Sequence, residues 1–376
     1  MQIGVPRETA AGETRVAATP ETTKKLVALG HTIRVESGAG VAASAIDAAY
    51  TAAGAEITDR AGAFACDLVL KVRSPDADEL ALMKRGANLV GMLNPFDRAG
   101  LEAIAAAGLT SFALEAAPRT TRAQSMDVLS SQANIAGYKA VVMAADTYQR
   151  FFPMLMTAAG TVKAARVVIL GVGVAGLQAI ATAKRLGAVI EASDVRPSVK
   201  EQVESLGAKF IDVSYETAEE KEAAEGVGGY ARPMPQSWLD RQKLEVAKRV
   251  AAADVVISTA LIPGRAAPTL ITEEMVKAMK PGSVIVDLAA GKGPDGVGGN
   301  TPLSESDRTV VKHGVTIIGE TNLAARVGAD ASALYARNVL DFLKLVLTKE
   351  GGFAVPMDDD IVAACLMTQG GEVKRK

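Results

Sequence analysis

Three glycines and one acid carry the clearest chemical signal in this chain. Gly171, Gly173 and Gly176 have the spacing G-x-G-x-x-G, and Asp194 follows 18 residues after the last of them. Glycine at the first position allows a tight turn, and glycine at the second lets a pyrophosphate reach the backbone. Glycine at the third lets a helix pack closely on a strand. A carboxylate at the place of Asp194 accepts hydrogen bonds from a ribose 2′-hydroxyl and repels a 2′-phosphate, which favours NAD over NADP. Val174 and Ala175 complete the loop, and Val195 and Arg196 follow the acid. Arg196 weighs the other way, because a nearby arginine can accommodate a 2′-phosphate.

These residues need a strand before the glycines, a helix after them and a second strand ending at the acid. The run Val167 to Leu170 is apolar and β-branched, as a buried parallel strand would be; Leu177 to Leu186 has a helical pattern, and Ala188 to Ala192 is a second strand. Thr259, Ala260 and Leu261 fall at the carboxyl end of a further strand, Asp254 to Ala260, where open α/β sheets bind ligands. Gly38-Ala-Gly40-Val-Ala-Ala43 repeats the glycine spacing. Its helix is short, and Glu56 follows Ala43 by only 13 residues, so it reads as a plain glycine turn.

A second polar cluster comprises Pro118, Arg119, Arg122, Gln124, Ser125 and Asp127, ahead of a long helix running from about Met126 towards Tyr148. On residue types alone it reads as an exposed interdomain loop with a capping Ser or Asp. His31 and His313 are the only histidines and have no ligand-spaced partners, which argues against a metal site or a histidine triad.

The 376 residues suggest two or three domains, and nearly half are apolar. A net charge of −2 gives no electrostatic case for nucleic acid or an anionic membrane. Cys66 and Cys365 form no C-x-x-C and sit in apolar surroundings, as expected of buried thiols in a reducing compartment. The first ten residues have neither the charged nor the apolar part of a signal peptide. No stretch reads as a transmembrane helix: Val167 to Ala183 are uncharged, but the glycines and the change of period make them strand plus helix.

Through the first third, strands near residues 1–5, 31–36, 67–72, 87–93 and 109–114 alternate with helices near 20–29, 43–53, 76–84 and 97–107. The expectation is an α/β fold of two doubly wound, mostly parallel-sheet, Rossmann-like domains. The first, discontinuous domain would hold residues 1–129 and 320–376, and the nucleotide domain residues 130–319. Residues 214–236, rich in glycine and proline at one end, read as a long loop.

The runs PRTTRAQSMDVLSSQANIAGYKAV, FFPMLMTAAGTVKAARVVILGVGVAGLQAIATAKRLGAV, STALIPGRAAPTLITEEMV and MKPGSVIVDLA resemble domain I of proton-translocating nicotinamide nucleotide transhydrogenase, the NAD(H)-binding component of its alpha subunit. The likeness covers essentially the whole chain, and the run from Arg119 to Asp127 is its most specific part. It implies two domains flanking a cleft. Arg119, Gln124 and Asp127 would approach the nicotinamide end of NAD(H), with Ser130 and Tyr138 near the nucleotide. Tyr230 would be the apolar contact of a mobile loop over it. The resemblance also implies partners: an NADP(H)-binding component, a membrane-spanning proton channel component and a second copy of this chain. Such a chain would sit in the cytoplasm, peripheral on the inner membrane. The sequence stops before any membrane helix; it is either one piece of a split alpha subunit or a segment of a longer chain.

Alanine dehydrogenase is a related family, and Arg15 and Lys71 resemble its substrate residues. Where that family has a catalytic histidine this chain has Asn94, and no carboxylate cleanly matches its second acid. Asn94 cannot shuttle the proton that amino-acid oxidation requires, whereas hydride transfer between two nicotinamides needs none. The reading is therefore a transhydrogenase component, catalytic only with its partners. The alternatives are an alanine dehydrogenase-like enzyme and a non-catalytic NAD-sensing module.

Overall fold

The computed structural model describes residues 1–225, 234–262 and 264–375. They divide into two compact units, Met1–Gln132 with Ala324–Lys376, and Ala133–Leu323. The strands are, in order, β1 (Gln2–Val5), β2 (Thr32–Glu36), β3 (Glu56–Thr58), β4 (Leu68–Arg73), β5 (Asn88–Met92), β6 (Thr110–Ala113), β7 (Leu155–Thr157), β8 (Gly160–Val162), β9 (Arg166–Leu170), β10 (Val189–Ser193), β11 (Lys209–Phe210), β12 (Val255–Ser258), β13 (Val284–Asp287), β14 (Thr309–Lys312), β15 (Val315–Ile318), β16 (Leu366–Gln369) and β17 (Glu372–Val373).

In the first unit the sheet order is β17-β16-β6-β5-β4-β1-β2-β3. Strands β1 to β6 run parallel, and β16 adds antiparallel to β6. The helix Gly328–Val346 packs on this sheet with Tyr335, Phe342 and Leu343 fully buried. The Tyr335 hydroxyl donates to the Lys71 carbonyl at 2.7 Å. The boundaries between units lie at 132/133 and 323/324, a few residues beyond the expected ones, and the first falls inside the helix Val128–Thr147.

In the second unit the order is β11-β10-β9-β12-β13-β15-β14, parallel except for β14. Both faces are covered. Val167 and Ile169 of β9 enter one apolar cluster and Val168 and Leu170 the other, which is why the run is unbroken rather than alternating. Chain order reverses between β9 and β12, and crevices of that kind hold ligands in open α/β sheets.

Several expectations need correction. The helix foreseen over 43–53 is a short turn, Val41–Ala43, then a helix, Asp47–Ala52; Ser44 between them has a left-handed φ of 62°. The strand foreseen over 208–213 is only Lys209–Phe210. The long loop foreseen over 214–236 contains a helix, Ala218–Glu225. Thr217 caps it, its hydroxyl accepting from the Glu220 N–H at 3.1 Å. The Glu220 carboxylate in turn receives Ser237 and Arg241, at 2.8 and 2.7 Å.

Candidate dinucleotide site

Leu170, Ser193 and Ser258 lie side by side in register, so Gly171, Asp194 and Thr259 leave the sheet at the same edge. Gly171 has a φ of +90°, and a Cβ there would stand 2.8 Å from the Thr259 hydroxyl oxygen, so only glycine suits. A Cβ on Gly176 would collide with the Gly171 carbonyl at 2.0 Å, whereas one on Gly173 would meet nothing. The first and third glycines thus let the helix Val174–Arg185 close on the turn, and the second faces open space. Gly173 is that helix's N-cap and no side chain caps it. Its first N–H groups and dipole are therefore suited to an anion such as a pyrophosphate. Gly137, which sequence reasoning passed over, brings the helix Val128–Thr147 against this turn; a Cβ there would stand 2.1 Å from the Ala175 carbonyl oxygen.

Asp194 is almost fully buried and accepts four hydrogen bonds. Oδ2 takes the Val172 N–H at 2.7 Å and Arg196 Nη2 at 3.0 Å. Oδ1 takes the Arg196 N–H and Nε, both at 2.9 Å. Burial works against its charge, but the Arg196 guanidinium and the two backbone donors outweigh it and hold the carboxyl below its usual range. Gln242 fixes the Asp194 backbone, its Nε2 donating to the carbonyl at 2.9 Å.

Thr259 is tied to the glycine turn, its N–H donating to Leu170 O at 2.8 Å and its hydroxyl to Gly171 O at 2.9 Å. Ala260 is held by Asn300, a residue that sequence reasoning also missed. Asn300 is buried, and its own N–H donates to Asp287 Oδ1 at 3.2 Å. Asp287 ends β13 fully buried and also accepts from Ala289, Thr301 and Ser304. The glycine-rich loop after β13, which matches no phosphate motif, is thus organised around one carboxylate. The signal was the aspartate in VDLA.

Val174, Val195, Leu261 and Ile262 are exposed on segments that follow β9, β10 and β12, three adjacent strands, and Tyr138 is exposed one residue from Gly137. Apolar groups on this edge suit the flat faces of a bound nucleotide.

Arg119, Gln124, Asp127 and Ser130 belong to the first unit. Arg119 and Gln124 are exposed, and among the described residues their side chains have no hydrogen-bond partner. Asp127 does not orient Arg119. It receives the Ser130 N–H at 2.8 Å and hydroxyl at 2.5 Å, where the helix Val128–Thr147 begins. The other arginine of the segment, Arg122, grips Asp359 at 2.6 and 2.9 Å and also Asp360. Tyr230 lies outside the described residues.

Arg15 and Lys71 are buried and matched by acids. Arg15 pairs with Glu13 at 2.7 Å, and Lys71 with Glu8 at 3.0 Å and Glu79 at 2.9 Å. Asn94 sits in left-handed backbone with a φ of 52°, its N–H donating to Glu115. His31 is buried at the start of β2, and burial pushes its pKa down. His313 pairs with Glu273 in a half-exposed position. Among the described residues no cluster of His, Cys, Asp and Glu could hold a metal ion, and no helix is long and apolar enough to cross a membrane. Both cysteines are free and buried, and burial pushes the Cys365 thiol up to about 12.

Residues 4–136 match the family model for the N-terminal domain of alanine dehydrogenase/PNT, and residues 140–376 the model for its C-terminal domain. The chain is 51% identical over 382 aligned residues to the first piece of the split NAD(P) transhydrogenase subunit alpha of Rhodospirillum rubrum, covering 99% of this chain and 97% of that one. It is 30% identical to alanine dehydrogenase of Bacillus subtilis over 99% of this chain and 92% of that one. The crystal structure of transhydrogenase from Sinorhizobium meliloti superposes with a TM-score of 0.89 at 46% identity, over 99% of this chain and 100% of that one. Fold, glycine turn and the higher identities agree: the chain belongs to the alanine dehydrogenase/PNT family, among its NAD(P) transhydrogenase alpha subunits.

Proposed function

We propose that this chain binds NAD(H) and presents it for direct hydride exchange with NADP(H) held by a partner component. The observation that carries the reading is the uncapped helix behind Gly173 with Asp194 level beside it at the reversal point of the sheet. The helix N-terminus and the turn take the pyrophosphate, and Asp194 the adenosine ribose. The Thr259–Leu261 loop and Tyr138 border the remainder of the nucleotide. When bound, the reduced nicotinamide supplies the hydride. Arg119 and Gln124, exposed and unengaged, orient the carboxamide, and Asp127 fixes the start of the helix that follows them. The protein's contribution is placement and exclusion of water.

The side chain at Asn94 favours this over amino-acid oxidation, because an amide does not titrate and cannot serve as acid or base. Neither histidine replaces it: His31 is buried at the start of β2, and His313 pairs with Glu273. The names of the relatives support a place as one subunit among others. In that assembly a membrane component couples hydride transfer to proton translocation and keeps this chain at the cytoplasmic face of the membrane. A dimer of this chain completes the reading. The hairpin β7–β8 pairs with no other strand, and Phe151, Met154 and Met156 near it are exposed, as a surface that meets a second copy would be.

Fluorescence titration of NADH tests the site. Asp194→Ala weakens binding by at least about tenfold, the size of a charge-assisted contact. Unchanged affinity would remove Asp194 from the ribose contact.

A further inference from the structure

The Arg196 guanidinium lies across both oxygens of Asp194, Nε on Oδ1 at 2.9 Å and Nη2 on Oδ2 at 3.0 Å, and Nη2 also reaches the Val172 carbonyl at 3.3 Å. Backbone N–H groups of Arg196 and Val172 take one further position on each oxygen. A carboxylate has about four acceptor positions, so this one is full. The two positions held by the guanidinium differ from the other two. They belong to a half-exposed side chain, whereas the backbone donors are fixed by the glycine turn and the end of β10. They also lie one on each oxygen, the pattern that two adjacent hydroxyls of a ribose would use.

We infer that Arg196 is an internal substitute for the ribose diol, a latch on Asp194 that the nucleotide displaces, and so a specificity-determining residue. The inference rests on the NAD(H) reading above. Displacement costs a bidentate ion pair, so Arg196 lowers affinity for any ligand that engages Asp194 through a free diol. The two backbone donors stay in place, so the carboxylate keeps its orientation when the guanidinium leaves. A nucleotide with a 2′-phosphate brings negative charge to this carboxylate. It gains nothing from the release of Asp194 and loses a nearby cation when Arg196 is removed.

The test is equilibrium binding of NADH and of NADPH to the full chain, followed by nucleotide fluorescence, for wild type, Arg196→Gln and Arg196→Lys. Arg196→Gln should bind NADH about three- to tenfold more tightly, the range for a half-exposed ion pair. Its affinity for NADPH should not rise. Arg196→Lys, whose single ammonium cannot span both oxygens, should fall between wild type and Arg196→Gln for NADH. NADH affinity unchanged or weakened in a variant that melts like wild type would overturn the latch. An equal gain for both nucleotides would also overturn it, since that would be general loosening of the site. If wild type itself binds no NADH, the NAD(H) reading fails, and the latch with it.

Discussion

Asn300 holds Ala260 by both of its backbone groups. Its Oδ1 accepts the Ala260 N–H at 3.1 Å, and its Nδ2 donates to the Ala260 carbonyl at 2.9 Å and to that of Pro268 at 2.9 Å. One buried amide therefore fixes the loop after β12, and Asp287 fixes the amide. Asn300→Ala strands three backbone groups and should cost about 2–3 kcal/mol of stability, seen as a lowered denaturant midpoint at constant slope. NADH affinity should fall with it. Asn300→Asp, which sets a carboxylate against two carbonyls, should do no better; a variant as stable as wild type would show that the loop is held by other means.

Glu115 makes stability depend on pH. It accepts the Asn94 N–H at 2.7 Å, but burial dominates and pushes its pKa from the usual 4.5 up to about 6. The folded chain thus binds this proton more tightly than the unfolded chain. The group's contribution is most favourable below about pH 4.5 and is lost as pH rises through about 6, a change of about 2 kcal/mol. Glu115→Gln cannot lose a proton. The stability difference between variant and wild type should therefore widen in the variant's favour from pH 4.5 to 7. A difference independent of pH would mean that Glu115 titrates normally.

The glycine turn, its strand and helix, and Asp194 were legible because each obeys a local rule of spacing and period. The capture of Asp194 by Arg196 was not, because adjacency along the chain does not say which way a flexible arginine folds. Asn300 and Gly137 act on partners 40 and 38 residues away, Ala260 and Ala175. Such pairings emerge only when the sheet order is known. Strand β14 was missed because its residues alternate between exposed and partly exposed, without the apolar run of its neighbours. The helix Ala218–Glu225 was hidden by its charge, which here is satisfied by Arg241 and Ser237 rather than by water alone.

Gln124 separates chemistry from binding. It is exposed and its side chain supports no other residue, so shortening it leaves the fold intact. Gln124→Asn should keep the thermal midpoint and keep NADH affinity within about threefold. It should lower the rate of hydride transfer by about a hundredfold, because misplacement of about 1 Å is costly at the reacting centre. Equal losses in rate and affinity, read from single-turnover kinetics and titration, would assign Gln124 to binding alone.

The most direct measurement follows a label. The chain is mixed with its NADP(H)-binding component, NADP+ and NADH carrying deuterium at the transferable C4 position. Direct exchange between two nicotinamides predicts that deuterium appears in NADPH without loss to water, and that nothing is transferred when the second component is left out. Loss of label to solvent, or reduction of NAD+ by alanine with this chain alone, would contradict the account.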